Sequence, residues 1–83
     1  MDSPKIETTV NKILADVLGI TPNEITLDST FVNLGADSFD ELDIMVQIEK
    51  KFDIEIKDND IDQIIDVRGL CKYVENKLLK KTA

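Results

Sequence analysis

Hydrophobic residues recur at helical spacing in the first part of the chain, at Ile6, Val10, Ile13, Leu14, Val17 and Leu18. Such spacing predicts an amphipathic helix. Pro4 suits its first position, where the N–H that proline lacks would have no partner, and Gly19 suits a left-handed C-cap. The first helix is therefore predicted over about residues 4–18.

A long loop over residues 19–37 separates this helix from a second one, predicted from Ser38 to Phe52. Asp37 is the expected N-cap, and Asp40 three residues later completes a variant of the capping box. Apolar residues scattered through the loop indicate that it packs against the rest of the chain. A loop of this length in a compact domain is usually functional.

The last third of the chain predicts two more helices, and no segment alternates long enough to indicate a sheet. A short helix near residues 59–65 carries Ile61, Ile64 and Ile65. Asp66 then caps a last helix whose inward residues are Val67, Leu70, Cys71, Val74 and Leu78. The pattern predicts a single all-α domain over residues 1–83, a four-helix bundle of three longer helices and one short helix.

The second helix has more apolar residues than one core face can use. Four of them lie on one side of the helix: Ile44, Met45, Ile48 and Phe52. Three others lie further round and form a group that we call the outer stripe: Phe39, Leu42 and Val46. An apolar stripe with charged neighbours is typical of a partner surface. A small bundle that encloses the helix on two sides would instead bury both groups, and the pattern alone leaves both interpretations open.

The amino-acid composition argues against several classes of function. The 83-residue chain has no histidine and one cysteine, Cys71. Histidine supplies many general bases and zinc ligands, so its absence argues against a self-sufficient enzyme and against a zinc site. A single cysteine excludes an internal disulfide, and Cys71 is expected to be a small core residue of the last helix.

One acidic cluster imitates a metal site. Asp58, Asp60 and Asp62 have the spacing of the first three ligands of a calcium loop. Gln63 and Gly69 stand where that loop needs glycine and glutamate. No metal site is therefore predicted.

Negative charge is concentrated in one segment. The chain has a net charge of −7, yet residues 37–66 hold 11 acidic and 3 basic residues, a net charge of −8, and the rest carries +1. A field of this sign repels nucleic acid and anionic membranes and attracts basic protein surfaces. We expect a basic protein partner and no nucleic-acid partner, although a merely solubilising surface would have the same composition.

The sequence carries no recognisable membrane or targeting segment. No run approaches about 18 consecutive apolar residues, and the N-terminus lacks the basic-then-apolar layout of a signal peptide. The expected location is the cytoplasm, and the expected state is a monomer.

Ser38 begins the second helix, directly after Gly35, Ala36 and Asp37. Asp-Ser before an apolar-periodic run is ordinary capping chemistry. The same geometry also suits a phosphate, because a helix N-terminus favours negative charge by about 0.3–1 kcal/mol at an exposed site. Since the chain has no histidine to activate the hydroxyl, a separate enzyme would have to attach a phosphate-linked group.

The run from Leu34 to Leu42, LGADSFDEL, resembles the acyl carrier proteins, whose usual core is G-A-D-S-L-D followed by an acidic helix that ends in E-F-x-x-x-I. The run from Glu49 to Ile56, EKKFDIEI, continues the resemblance, which extends over nearly the whole chain. The resemblance implies a four-helix bundle in which Ser38 carries 4′-phosphopantetheine, transferred from coenzyme A by a dedicated holo-acyl carrier protein synthase.

The resemblance also implies how the chain works. It would be no enzyme itself but a carrier that holds acyl groups as thioesters and delivers them to enzymes of fatty-acid and lipid synthesis. Its partners would be the phosphopantetheinyl transferase and acyl-transferring enzymes of fatty-acid or polyketide synthesis with basic docking surfaces. The docking residues that it implies are Asp37, Phe39, Asp40, Leu42, Asp43, Val46 and Glu49.

Five residues depart from the family pattern. Phe39 replaces leucine, Asp43 replaces glutamate, Gln47 replaces a small residue, and Lys50 and Lys51 replace acidic residues. With these changes the modification of Ser38 is still expected, but the pathway that the carrier serves is left undecided. A specialised carrier for a polyketide, D-alanyl or aminoacyl group stays an alternative, and so does an unmodified helical interaction module.

The concentrated charge predicts that salt stabilises the fold. Like charges in residues 37–66 repel one another more in the compact state than in the open chain. Raising the salt concentration to about 0.2 M, which shortens the Debye length to below about 10 Å, should therefore raise the melting temperature. Millimolar magnesium should do the same. A thermal denaturation midpoint that stays constant over this range would contradict the repulsion.

Overall fold

The computed structural model describes residues 3–82, with side chains from residue 4 to residue 81. It contains four α-helices: α1 (Ser3–Leu18), α2 (Ser38–Phe52), α3 (Asp58–Ile61) and α4 (Val67–Thr82). A 3₁₀ helix, Pro22–Glu24, lies in the loop after α1, and an isolated β-bridge is the only strand-like pairing in the described part. The predicted bundle of three longer helices and one short helix is confirmed. No helix in this part is both long and apolar enough to cross a membrane.

The helix ends lie where local chemistry places them. Gly19 has a φ of 68° and follows the last residue of α1, as predicted for a left-handed C-cap. At the start of α4, the carboxylate of Asp66 accepts the N–H of Gly69 at 2.7 Å. The N-cap satisfies one of the N–H groups that a helix leaves unpaired at its first turn.

The helices enclose one apolar core. α1 packs against both α2 and α4. The side of α2 that the spacing assigns to the core is buried, and its residues are Ile44, Met45, Ile48 and Phe52. Burying an aliphatic or aromatic side chain of this size contributes about 1.5–3 kcal/mol relative to leaving it exposed. The core face of α2 is therefore buried against α1 and the rest of the core.

The third helix is shorter than the predicted range of residues 59–65. It ends at Ile61, and Ile64 is buried while Ile65 is 65% exposed. The carbonyl of Ile65 accepts the N–H of Phe31 at 3.2 Å. The backbone leaves the helical path at this point and pairs with the long loop, a contact that local spacing does not show.

Side chains of α4 hold the segments that follow α2. The Tyr73 hydroxyl donates to Asp60 Oδ2 at 2.7 Å, and burial together with this hydrogen bond raises the pKa of Tyr73 to about 12. Lys81 Nζ donates to the carbonyl of Asp53 at 2.7 Å and to its carboxylate. Asp53 is the C-cap of α2, with a φ of 54°. Exposed ion pairs contribute little energy, so these contacts act mainly by orienting the junctions.

The long loop is attached to the start of α4. The N–H of Val67 donates to the carbonyl of Ser29, and the N–H of Arg68 donates to the carbonyl of Leu27, both at 3.0 Å. The Arg68 guanidinium also forms a salt bridge with Asp28. The loop thus supplies acceptors for N–H groups that the first turn of α4 leaves unpaired.

Two truncations on α2 should separate its two apolar groups. Ile44 has no exposed surface, so Ile44→Ala is expected to lower the free energy of unfolding by about 2–5 kcal/mol. Val46 is 45% exposed, and Val46→Ala should change the same quantity by less than about 0.5 kcal/mol. Urea denaturation of both variants measures this difference. Equal and large losses would show that the outer stripe belongs to the core.

Candidate functional site

The segment before α2 is a tight turn built on the buried side chain of Phe31. The N–H of Ala36 donates to the carbonyl of Phe31 at 3.0 Å, and the N–H of Gly35 donates to that of Val32 at 3.1 Å. Gly35 has a φ of 82°, which side chains of L-residues rarely allow. A Cβ at this position would meet no atom within 4 Å, so the backbone conformation and not the available space requires glycine.

The first turn of α2 is closed by two aspartates that cap each other. Asp40 N–H donates to Asp37 Oδ1 at 2.9 Å, and Asp37 N–H donates to Asp40 Oδ2 at 3.2 Å. This is the capping box that the sequence predicts. Ser38 is the first residue of α2, and its side chain is exposed. The cap holds the helix start while leaving the Ser38 hydroxyl open to solvent.

The position of Ser38 fits a phosphate-linked group. The first N–H groups of a helix lack intrahelical partners and point toward a ligand at the N-terminus. The aspartate cap uses the N–H of Asp40, which leaves those of Ser38 and Phe39 for a phosphate oxygen. Between residues 3 and 82, no group of three or more His, Cys, Asp or Glu side chains could hold a metal ion.

The outer stripe lies in solvent. Phe39 is 83% exposed, Leu42 53% and Val46 45%. Each of these residues keeps close to half of its surface or more exposed, so the interpretation in which the bundle buries both sides of α2 is wrong. A run of large apolar side chains beside an exposed serine is a surface that another protein can cover.

Two of the acidic residues near the stripe differ in their environment. Asp43 is exposed, and its carboxylate accepts a hydrogen bond from Gln47 Nε2 at 3.1 Å. Glu49 is half-buried, and its Oε2 accepts the N–H of Ile56 at 2.9 Å. Asp43 therefore presents its charge to solvent, whereas one carboxylate oxygen of Glu49 is committed to the linker between α2 and α3.

Two exposed apolar residues near the site were not predicted as surface. Val32 is 83% exposed in the turn before α2, and Ile65 is 65% exposed beside it, since the Ile65 carbonyl pairs with Phe31. The spacing places Ile65 in a helix, where it would share a side with Ile61. No local signal shows this exposure, because adjacent residues such as Ile44 and Met45 can both be buried in the same core.

Cys71 is a half-buried thiol on α4. Burial raises its pKa to about 11, and the negative charges of Glu7 and Glu75 act in the same direction. A thiol is nucleophilic only as the thiolate, so the raised pKa makes Cys71 a poor nucleophile near neutral pH. This agrees with the prediction of a packing role.

A family model described as "Phosphopantetheine attachment site" matches residues 8–74 of the chain. A curated acyl carrier protein from Nitratidesulfovibrio vulgaris strain DP4 is 38% identical over 73 residues, which cover 87% of this chain and 96% of that protein. The acyl carrier protein from strain DSM 19637 / Miyazaki F is 37% identical over the same length.

Comparison of structures gives a matching result. The crystal structure of an acyl carrier protein from Thermotoga maritima superimposes with a TM-score of 0.84 at 29% sequence identity. The alignment covers 96% of this chain and 94% of that one. The similarity thus includes all four helices and the long loop between α1 and α2.

The raised pKa of Cys71 predicts slow alkylation of the folded chain. At pH 8 a thiol with a pKa of about 11 is only about 0.1% thiolate. Reaction with iodoacetamide, followed by mass spectrometry, should be roughly a hundredfold slower in buffer than in concentrated urea, where the pKa is ordinary. The native rate should keep rising up to about pH 11. Equal rates in buffer and in urea would show that Cys71 is not protected.

Proposed function

The chain belongs to the acyl carrier protein family, and on this basis we propose that Ser38 is the residue that bears its 4′-phosphopantetheine. Two serines, Ser29 and Ser38, lie in the segment that matches the family model. Ser29 Oγ accepts the N–H of Thr26 at 2.9 Å and lies in a turn. Ser38 is exposed at the start of a 15-residue helix. The exposed hydroxyl at the N-terminus of α2 is the observation that supports this assignment.

The chain presents Ser38 but does not activate it. The carboxylates closest in sequence, those of Asp37 and Asp40, are engaged in the reciprocal cap, and the chain has no histidine. Removal of the hydroxyl proton therefore falls to a base of the phosphopantetheinyl transferase. When bound, the arm supplies a terminal thiol that holds an acyl group as a thioester. We assign the chain the role of a carrier and assign catalysis to its partners.

The exposed side of α2 is the proposed docking surface for these partners. Its apolar part is the outer stripe, and its charged part consists of Asp37, Asp40 and Asp43 around Ser38. Apolar burial would supply affinity, and the carboxylates would orient an enzyme with a basic surface. Glu49 belongs to the same proposal, with one carboxylate oxygen already bound to the linker.

The proposed cargo is a fatty acyl group. The Gly35-Ala36-Asp37 flank and the acidity of residues 37–66 support it. The alternatives are a polyketide, D-alanyl or aminoacyl group, which the Phe39, Lys50 and Lys51 departures favour. Intact-mass measurement of the protein isolated from its native cells separates these, because the attached group identifies the pathway.

Modification should depend on Ser38 alone. Incubation with coenzyme A and a promiscuous phosphopantetheinyl transferase is expected to add one phosphopantetheine to the wild type and none to Ser38→Ala. Ser29→Ala is the matched control and should be modified like the wild type. The Ser38→Ala variant should remain folded, since Asp37 still caps α2 and the loss of one hydroxyl there costs about 1 kcal/mol or less.

Intact-mass spectrometry reads out all three proteins. Addition of the same mass to Ser38→Ala would refute the assignment of Ser38. A wild type that gains no mass would instead favour the unmodified interaction module.

A further inference from the structure

The exposed side of α2 changes sign along its length. Phe39, Asp43, Val46 and Lys50 follow one another at spacings of four, three and four residues, which places them on one face of the helix. The first turn holds acidic residues, and the last turn holds Lys50 and Lys51. The surface next to Ser38 is therefore negative, and the surface at the other end of the same face is positive.

The fold makes no use of these two lysines as ion-pair partners. Lys50 and Lys51 are both exposed, and neither forms a salt bridge with a described residue. Arg68 and Lys81, by contrast, bridge to carboxylates of other segments. Lysine at a helix C-terminus complements the helix dipole, but this effect does not depend on which face the lysine occupies.

A shallow notch lies beside Lys50. It has a volume of about 370 Å³ and lies between α1 and α2, bordered by Ile13, Gln47, Lys50 and Lys51. An aliphatic side chain and two ammonium groups on one small surface match an aspartate or glutamate side chain, whose methylene part is apolar and whose end is negative.

We propose that the phosphopantetheinyl transferase of the same organism docks on α2 through two opposite charges, a basic group against Asp43 and a carboxylate against Lys50 and Lys51. Lys50 lies seven positions after Asp43 on the helix, which is about 10 Å along the axis. This distance exceeds the reach of a mutual ion pair, so a partner meets the two charges separately. The proposal rests on the proposed function, because the transferase must recognise this chain whatever its cargo.

The opposite charges at Asp43 and Lys50 would make α2 selective among docking enzymes. An enzyme whose docking surface is basic throughout would place a cation against Lys50, and like charges at an interface disfavour that complex. The transferase proposed here places a carboxylate at that position, about 18 Å along the α2 axis from the point where it modifies Ser38.

A crossed kinetic experiment tests the proposal. Modification rates are measured for the wild type, Lys50→Glu and the control Lys72→Glu, which makes the same charge change at an exposed position of α4. Each protein is assayed with two transferases: the one encoded in the same genome, and one whose own carrier has an acidic residue at the position of Lys50. Thermal denaturation checks that each variant is folded, and Lys50→Gln replaces Lys50→Glu if the latter does not fold.

With the transferase of the same genome, Lys50→Glu should lower kcat/KM five- to tenfold at low salt, mainly through KM, and the loss should shrink as salt is added. With the second transferase, the same variant should raise kcat/KM. Lys72→Glu should stay within twofold of the wild type with both enzymes. Coupling by a carbodiimide, which joins amines to adjacent carboxylates, should link Lys50 to the transferase of the same genome.

The outcomes separate this proposal from the function that it rests on. If Lys50→Glu is modified by the transferase of the same genome as fast as Lys72→Glu, or faster, the acidic contact is refuted while Ser38 keeps its assignment. If neither transferase modifies the wild type at Ser38, the proposed function fails and this inference fails with it.

Discussion

The hydrogen bonds between the long loop and the start of α4 are the constraint on which the rest of the structure depends. A helix begins with N–H groups that have no partner inside it, and a loop carries carbonyls that must be satisfied when it packs on a core. Here the helix and the loop satisfy each other's backbone groups, because the carbonyl of Ser29 accepts the N–H of Val67 and that of Leu27 accepts the N–H of Arg68. The loop is thereby held close enough for Phe31 to enter the core, and the turn on Phe31 in turn sets the position at which α2 begins.

Much of this fold could be predicted from local sequence signals. The bounds of α2 follow from the Asp37 cap and from apolar spacing, and the structure confirms both ends. Local spacing did not predict those features of the fold that depend on contacts with a distant segment. The end of α3 depends on the pairing of Ile65 with Phe31. Glu49 accepts the N–H of Ile56 across the end of α2, where the chain no longer follows a helical period.

The candidate site shows the same division. Ser38 and its cap could be identified from sequence because the two hydrogen bonds of the reciprocal cap each span only three residues. The exposure of the outer stripe could not be, since periodicity tells which residues share a face but not what packs against that face. Only the packing of α1 on the buried side of α2 decides that Phe39, Leu42 and Val46 lie in solvent.

An exposed phenylalanine next to two exposed aliphatic residues would ordinarily make a protein prone to stick to itself. The net charge of −7 opposes such contacts, and the acidic residues beside Phe39 add to the repulsion whenever two copies bring these ends of their outer stripes together. The charge thus acts as a colloidal stabiliser for a carrier that must keep an apolar surface uncovered between encounters. Mutual repulsion would thus limit self-association through the stripe and leave it open to the partners proposed above.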